Sequence, residues 1–352
     1  MVNKKYAGIA GIVVIAAVAV FLLSGGSDIF AATSENNTIN AAVTHDCAGT
    51  PWFVGEEKGF FNKSGVHFVD KGQIAWADQP AALVSGQINV YDGHPDAIID
   101  LLKSGAKVKG VAVGDAEPLN DSNDNEHMHW LVKAGSPLNT STTGGAAYIK
   151  AREAAGNKVK VAVGSEGICA DLEFNAWLRS QNLTKNDIEY VVLPDPQQEQ
   201  ALSQGQIDIA TLHPPFYKKA ESDGNVTVFL TSTQAFGPAA GLTLLVYTDQ
   251  YITKYPGTVR DFTNAFKDSE RWTNNNREEA GNITAQQIGL PYTSNVHWYS
   301  PSGAIDNTTV AYLQQWINAM VADGDISQGE FTPQDLYTTE FSDTWKTNLP
   351  DQ

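Results

Sequence analysis

Cysteine is nearly missing: Cys47 and Cys169 are the only two among 352 residues. A disulfide scaffold is excluded, and the fold must come from an apolar core. Basic residues are also scarce, with 23 Lys and Arg against 40 Asp and Glu and a net charge of −17. This argues against nucleic acid or an anionic membrane surface as the main partner. No P-loop, dinucleotide fingerprint, nucleophile elbow or Ser-His-Asp order occurs. The nearest approach, Gly164-Ser165-Glu166-Gly167, lacks the lysine that a P-loop needs. No H-x-x-x-H spacing occurs either, so neither a metal nor a cofactor is expected, although imidazoles and Cys47 are competent ligands. These absences favour a binding protein over an enzyme.

Apolar content is 42%, with eight tryptophans, which is enough for a full core. The one long apolar run, Ala7 to Leu23, follows Lys4 and Lys5. It fits a short membrane anchor or a long signal segment, with everything after it exported. No cysteine follows it, which excludes a bacterial-type lipid anchor. Ala31-Ala32 could end a cleaved signal. The expectation is an anchor or signal over 1–24 and a polar tether over 25–38, which places the globular part at the cell surface or free outside it. Asn36, Asn62, Asn120, Asn139, Asn182, Asn225, Asn282 and Asn307 head N-x-[ST] triplets. They fit a glycosylated exported surface, or simply a polar face rich in Asn and Thr.

One stretch occurs twice. Ala82 to Pro95 reads A-L-V-S-G-Q-I-N-V-Y-D-G-H-P, and Ala201 to Pro214 reads A-L-S-Q-G-Q-I-D-I-A-T-L-H-P. Each copy predicts a helix ending at a glycine (Gly86, Gly205), a short strand (Ile88 to Tyr91, Ile207 to Ala210), and a helix beginning at a proline. Two such units suggest two similar α/β lobes. Around them strands and helices alternate, which implies mainly parallel sheets. His129 to Lys133 and Leu242 to Tyr247 read as strands that cross between lobes. From Tyr251 onward the chain turns mostly helical.

Four phrases, in order, carry a family resemblance: Pro51 to Phe61 (P-W-F-V-G-E-E-K-G-F-F), the doubled Gly-Gln-Ile-Asn/Asp stretch, Leu193 to Gln200 (L-P-D-P-Q-Q-E-Q), and Tyr255 to Leu290 with its Trp-Thr-Asn-Asn-Asn-Arg-Glu-Glu-Ala segment. Together they resemble the solute-binding proteins of ABC importers, in the group covering nitrate, sulfonate, taurine and thiamine-pyrimidine binders. The resemblance implies a two-lobed, periplasmic-binding-protein-like fold (type II), with two crossing strands and a cleft that closes on a small molecule. It places lobe one at 39–130 plus 242–352 and lobe two at 131–241. It also implies an ABC permease and its ATPase as partners. Enzymes on the same scaffold, pyrimidine synthases or desulfinases, remain an alternative, as does a metal-binding or sensory surface protein.

Ligands in α/β sheets lie beyond the carboxyl ends of the strands. His45, His94 and His213 fall at such ends, each either as a ligand contact or as a cap for the following helix. Asp46, Thr50, Trp52, Trp76, Asp92, Ser165, Glu166 and Phe236 join them as candidate ligand-binding residues. Trp52, Trp76, Tyr91, Phe216 and Phe236 could sandwich a flat or cationic ligand, or pack the core. His127 and His129 alternate along a strand, so one of the two can face the cleft. The Gly164 to Gly167 turn opens a helix and suits a polar group. Against an anion stand Glu166, Asp46 and Asp92, and all five arginines fall in predicted helices away from these loops. A neutral or weakly basic heterocycle is expected. Cys47 and Cys169 are expected as free thiols or with one as a solvent-shielded ligand contact, since a bond between them would hold the cleft shut.

Overall fold

The structure is a computed structural model and describes residues 36–117, 126–140, 142–165, 167–290, 299 and 302–346. The apolar run at 7–23, the tether as far as residue 35, and Glu166 lie outside these residues, and Thr38, expected in the tether, already belongs to a strand. Among the described residues no helix is long and apolar enough to cross a membrane.

Gly86 and Gly205, at the centre of the repeated stretch, both take left-handed backbone (φ +76° and +71°) just after helices Gln79–Val84 and Asp195–Ser203. A side chain there would strain the turn that sends the chain back toward the sheet. The strands that follow start two or three residues later than the apolar pattern predicts. Ile88 and Val90 are buried but unpaired, and the ladder starts at Tyr91, where a partner strand is in reach.

Ten strands follow in chain order. They are β1 (Thr38–Ala41), β2 (His67–Asp70), β3 (Tyr91–Gly93), β4 (Val108–Val113), β5 (His129–Lys133), β6 (Val159–Val163), β7 (Ile188–Val192), β8 (Ile209–Leu212), β9 (Val226–Thr231) and β10 (Leu244–Thr248). β1 and β2 pair in parallel. A three-stranded sheet has the order β3-β10-β4, and a five-stranded sheet the order β7-β6-β8-β5-β9. β7, β6 and β8 are parallel, as the alternation of strand and helix predicts. The two crossing strands run against their neighbours: β5 is antiparallel to β8 and β9, and β10 is antiparallel to β3 and β4. The result is a two-lobed α/β fold.

Each sheet is covered on both faces. In the first lobe Trp52 lies in an aromatic cluster with Phe262 and Phe266 (ring centres 5.5 and 4.7 Å away), with Phe61 and Phe68 beside it. Helix Pro256–Asn275 supplies Val259, Phe262, Phe266 and Thr273 to this core at helical spacing. The other face is filled by Ile98, Leu244 and Trp316. In the second lobe Trp130, Phe174 and Trp177 pack on one face of the sheet, and Leu212 and Tyr217 on the other. Helix Asn307–Asp323 reaches both lobes. Its Trp316 indole donates to the Ala239 carbonyl (2.8 Å), and Asp323 accepts from Asn175 (2.9 Å) and pairs with Arg179.

Two buried groups carry charge into the first lobe. Lys267 and Glu270 are fully buried and joined at 2.6 Å. Removing one member strands the other in a low dielectric. Lys267→Met should therefore lower unfolding free energy by about 3–5 kcal/mol in urea titration, and adding Glu270→Leu should restore much of it. Asp92, beside Thr243 and under Gly114, is pushed up to about 7 by burial, with Asp115 adding to the shift and Lys267 opposing it. A carboxyl raised in the folded state holds its proton there, so its contribution is present at low pH and is lost as pH rises from about 4 to 7. Asp92→Asn should flatten that fall, gaining on the parent by on the order of 4 kcal/mol between pH 4 and pH 8 in thermal or urea melts.

Candidate functional site

A cleft of about 1450 Å³ runs between the two lobes. It exceeds the roughly 300–1,000 Å³ of an ordinary ligand pocket, which leaves room for closure. The Cys47 N–H donates to the Pro214 carbonyl across the cleft (2.8 Å).

Six of the candidate residues line this cleft: His45, Asp46, Trp76, His94, Ser165 and His213. Tyr91 and Phe216 line it too. Four others are placed differently. Thr50 is fully buried and shares a hydrogen bond with Thr284 (2.7 Å). Trp52 belongs to the first-lobe aromatic core, and Phe236 packs edge-on against Trp316 (5.1 Å). Asp92 sits behind the cleft wall. Both Thr50 and Trp52 lie in the first turn of helix Thr50–Glu57, whose inner side faces helices and not ligand. Glu166 lies outside the described residues.

The doubled His-Pro end brings two histidines to the cleft in different states. His94 lies between the rings of Trp76 (5.8 Å) and Trp316 (5.5 Å), and its Nδ1 meets the Leu242 carbonyl at 2.9 Å. A carbonyl only accepts, so Nδ1 carries the proton and Nε2 a lone pair. Burial, then the neighbouring His127, lower its pKa to about 3, so it stays neutral. His213 is held by Asp195, which accepts from its Nδ1 (2.8 Å) and its backbone N–H (2.9 Å). Burial opposes its charged form, yet the Asp195 carboxylate overcomes this and lifts it to about 9.

Several residues outside the candidate set also line the cleft. His127 lines the cleft, with its ring centre 5.3 Å from that of His213, while His129 turns away to Glu221 (2.7 Å) and stacks on Tyr217. The alternation in His127-Met128-His129 foretold the split but not which one faces in. Cys169 opens helix Cys169–Ser180 and lines the cleft, as does Cys47; both are free and buried. Burial and nearby carboxylates, Asp46 for Cys47 and Glu173 for Cys169, push both thiols well above their usual range. Glu173, raised to about 8 by burial, lies 3.5 Å from His127 Nε2 and accepts the Gly241 N–H (3.1 Å). Gly241 has φ +66°, and a Cβ there would come within 2.9 Å of the His127 ring. Asp96, Asp115 and Asp195 also line the cleft, with Asp100. Nothing in the sequence marks these four beyond their acidity.

Among the described residues no Lys or Arg lines the cleft. Several N–H groups of the loops around the cleft are bonded to the chain's own carboxylates. Asp46 accepts from Ala48, Asp96 from Ala97, Asp115 from Ala116, and Asp171 from Gly167 and Ile168, all at 2.8–3.0 Å. Among candidate metal ligands, His127, Cys169 and His213 present donor atoms within 4.8 Å of one another.

Comparison of the fold finds solved structures at low identity. The periplasmic nitrate-binding protein NrtA from Synechocystis PCC 6803 matches with TM-score 0.74 and 14% identity, over 89% of each chain. The periplasmic aliphatic sulphonate-binding protein SsuA from Escherichia coli matches with TM-score 0.66 and 17% identity, over 87% of this chain and 99% of that one. The desulfurization enzyme DSZB matches with TM-score 0.61 and 11% identity, over 89% and 99%. No curated protein matches by sequence. The family model described as the NMT1-like family matches residues 32–289. With that match running from before β1 through helix Arg277–Ile288, the chain belongs to the NMT1-like family.

Proposed function

We propose that this protein is an extracytoplasmic solute-binding protein that captures a small neutral or cationic molecule, such as a basic heterocycle, in the interlobe cleft and delivers it to an ABC permease and its ATPase. The observation that carries the ligand class is the lining: Asp46, Asp96, Asp100, Asp115 and Asp195 with no Lys or Arg among its described residues. Anion binders need a guanidinium fork or free loop N–H groups. Here aspartates occupy several of the loop N–H groups. Trp76 and Phe216 offer flat faces to a ring or a cation.

The lobes are assigned as 39–130 plus 242–352 and 131–241, with the whole of β5 joining the second-lobe sheet. Closure brings their facing walls together around the ligand, and the closed form is the one the permease reads. A binding protein is favoured over an enzyme because both cleft thiols are held in the neutral form, which is a poor nucleophile. The apolar run at 7–23 supports export, as a tether or a cleaved signal. Asn36, Asn62, Asn182, Asn225 and Asn307 are exposed and open to sugar attachment, whereas Asn282 is half-buried in helix Arg277–Ile288.

In a thermal-shift screen, aminopyrimidines and other organic cations should raise the Tm, by an amount set by about 2.7 kcal/mol at 100 times the dissociation constant. Nitrate and alkanesulfonates should leave it unchanged. A shift with the oxyanions alone would sink the assignment of ligand class. Trp76→Ala should weaken binding of the hit by about 0.5–2 kcal/mol in calorimetry while the unliganded Tm stays near that of the parent.

A further inference from the structure

We propose that His127, Cys169 and His213 form a binding site for a divalent transition-metal ion of the zinc and copper class within the cleft. The inference rests on reading the cleft as the place where this protein holds its ligand. The three donor atoms lie within 4.8 Å of one another. In a tetrahedral site with metal–nitrogen bonds near 2.1 Å and metal–sulfur bonds near 2.3 Å, donors stand about 3.4–3.7 Å apart. Small side-chain rotations close that gap.

The sheet brings the three together. β5 runs antiparallel to β8, with His129 opposite Leu212, so the start of β5 and the end of β8 share one edge. His127 lies two residues before that pair, and His213 one residue after it. Cys169 opens the helix that follows β6, the neighbour of β8, beyond the same edge. His127 precedes β5, Cys169 opens the helix after β6 and His213 follows β8, so all three are anchored to strands of one sheet.

The surroundings suit a cation. Asp195 holds His213 by Nδ1, which fixes the ring and leaves Nε2 as the metal-binding nitrogen, the carboxylate–histidine–metal arrangement. Glu173, fully buried, lies 3.5 Å from His127, and its second carboxyl oxygen has no hydrogen-bond partner among the described residues. Asp46, Asp115 and Asp195 line the same cleft, and among the described residues no Lys or Arg does. A thiolate and two imidazoles select zinc, copper or cobalt over magnesium and calcium, which prefer oxygen. Three protein donors leave a fourth position for water or a donor group of the captured molecule. Binding would release two protons to solvent, one from the Cys169 thiol and one from His213 Nε2, since a thiolate and a neutral imidazole nitrogen are the ligands.

The test uses the purified full chain, stripped with chelator and titrated with Zn²⁺ alone in a calorimeter. The expected result is one ion per chain and no heat with Mg²⁺. Titration with Co²⁺ should produce a thiolate-to-cobalt charge-transfer band. The near-isosteric Cys169→Ser should abolish that band and weaken Zn²⁺ more than Asp195→Asn, which acts through His213 and should cost about 10–100-fold. The inference is overturned if Zn²⁺ fails to bind, or if Cys169→Ser binds it as tightly as the parent. Repeating the organic screen with chelator present separates the two readings. Hits that persist while Zn²⁺ fails overturn the metal site alone. Zn²⁺ binding as described, with no organic hit in either condition, overturns the proposed capture of a heterocycle and leaves the metal site standing.

Discussion

Because β5 enters its sheet against the direction of β8, a chain segment arriving from the first lobe ends at the edge where the second lobe's parallel strands finish. That one choice of strand direction places His127 beside His213 and beside the start of the helix carrying Cys169. A parallel insertion would have put His127 at the far edge of the sheet, away from the cleft. β10 makes the complementary crossing, and its approach through Gly241 leaves space for the His127 ring. The cleft is thus a product of the crossings as much as of the lobes they join.

The cleft has an electrostatic character that follows from helix and turn capping. At a loop that opens a helix, the orphan N–H groups must find an acceptor. Many binding proteins leave that acceptor to the ligand. In this chain aspartates two to four residues away, or on the same turn, take the role, as Asp46 does for Ala48 and Asp171 does for Gly167 and Ile168. Asp46, which lines the cleft, also adds to its acidic character. Family membership fixes the architecture, but the capping pattern decides what class of molecule that architecture suits.

Much of the fold was legible in the residues. The repeat with Gly86 and Gly205, the crossing strand His129 to Lys133 and the long helix after Tyr255 all follow from local turn chemistry and hydrophobic spacing. His94 and His213 were legible as well, because a strand end followed by proline places them at the carboxyl edge. Errors arose where a residue's partner is distant in sequence. Trp52 was expected in the cleft, but its partners Phe262 and Phe266 come from a helix more than two hundred residues away. Phe236 was misplaced for the same reason, through Trp316. Conversely, Asp195 stands in a Pro-Asp-Pro turn whose tie to His213 appears only when β8 lies beside it. Periodicity gives the facing of a side chain only up to which face is inner, and that is why His127 could not be chosen over His129.

The aspartate lining has a kinetic consequence as well as a thermodynamic one. A concave wall of carboxylates on a chain of net charge −17 focuses its field outward and raises the local concentration of cations at the mouth. In dilute medium this speeds capture. In brine, where the Debye length shrinks to about 3 Å at 1 M, the steering vanishes and only contacts made inside the desolvated cleft still discriminate. For the cationic ligand proposed, encounter at the rim and selection inside the cleft would therefore be separable by ionic strength.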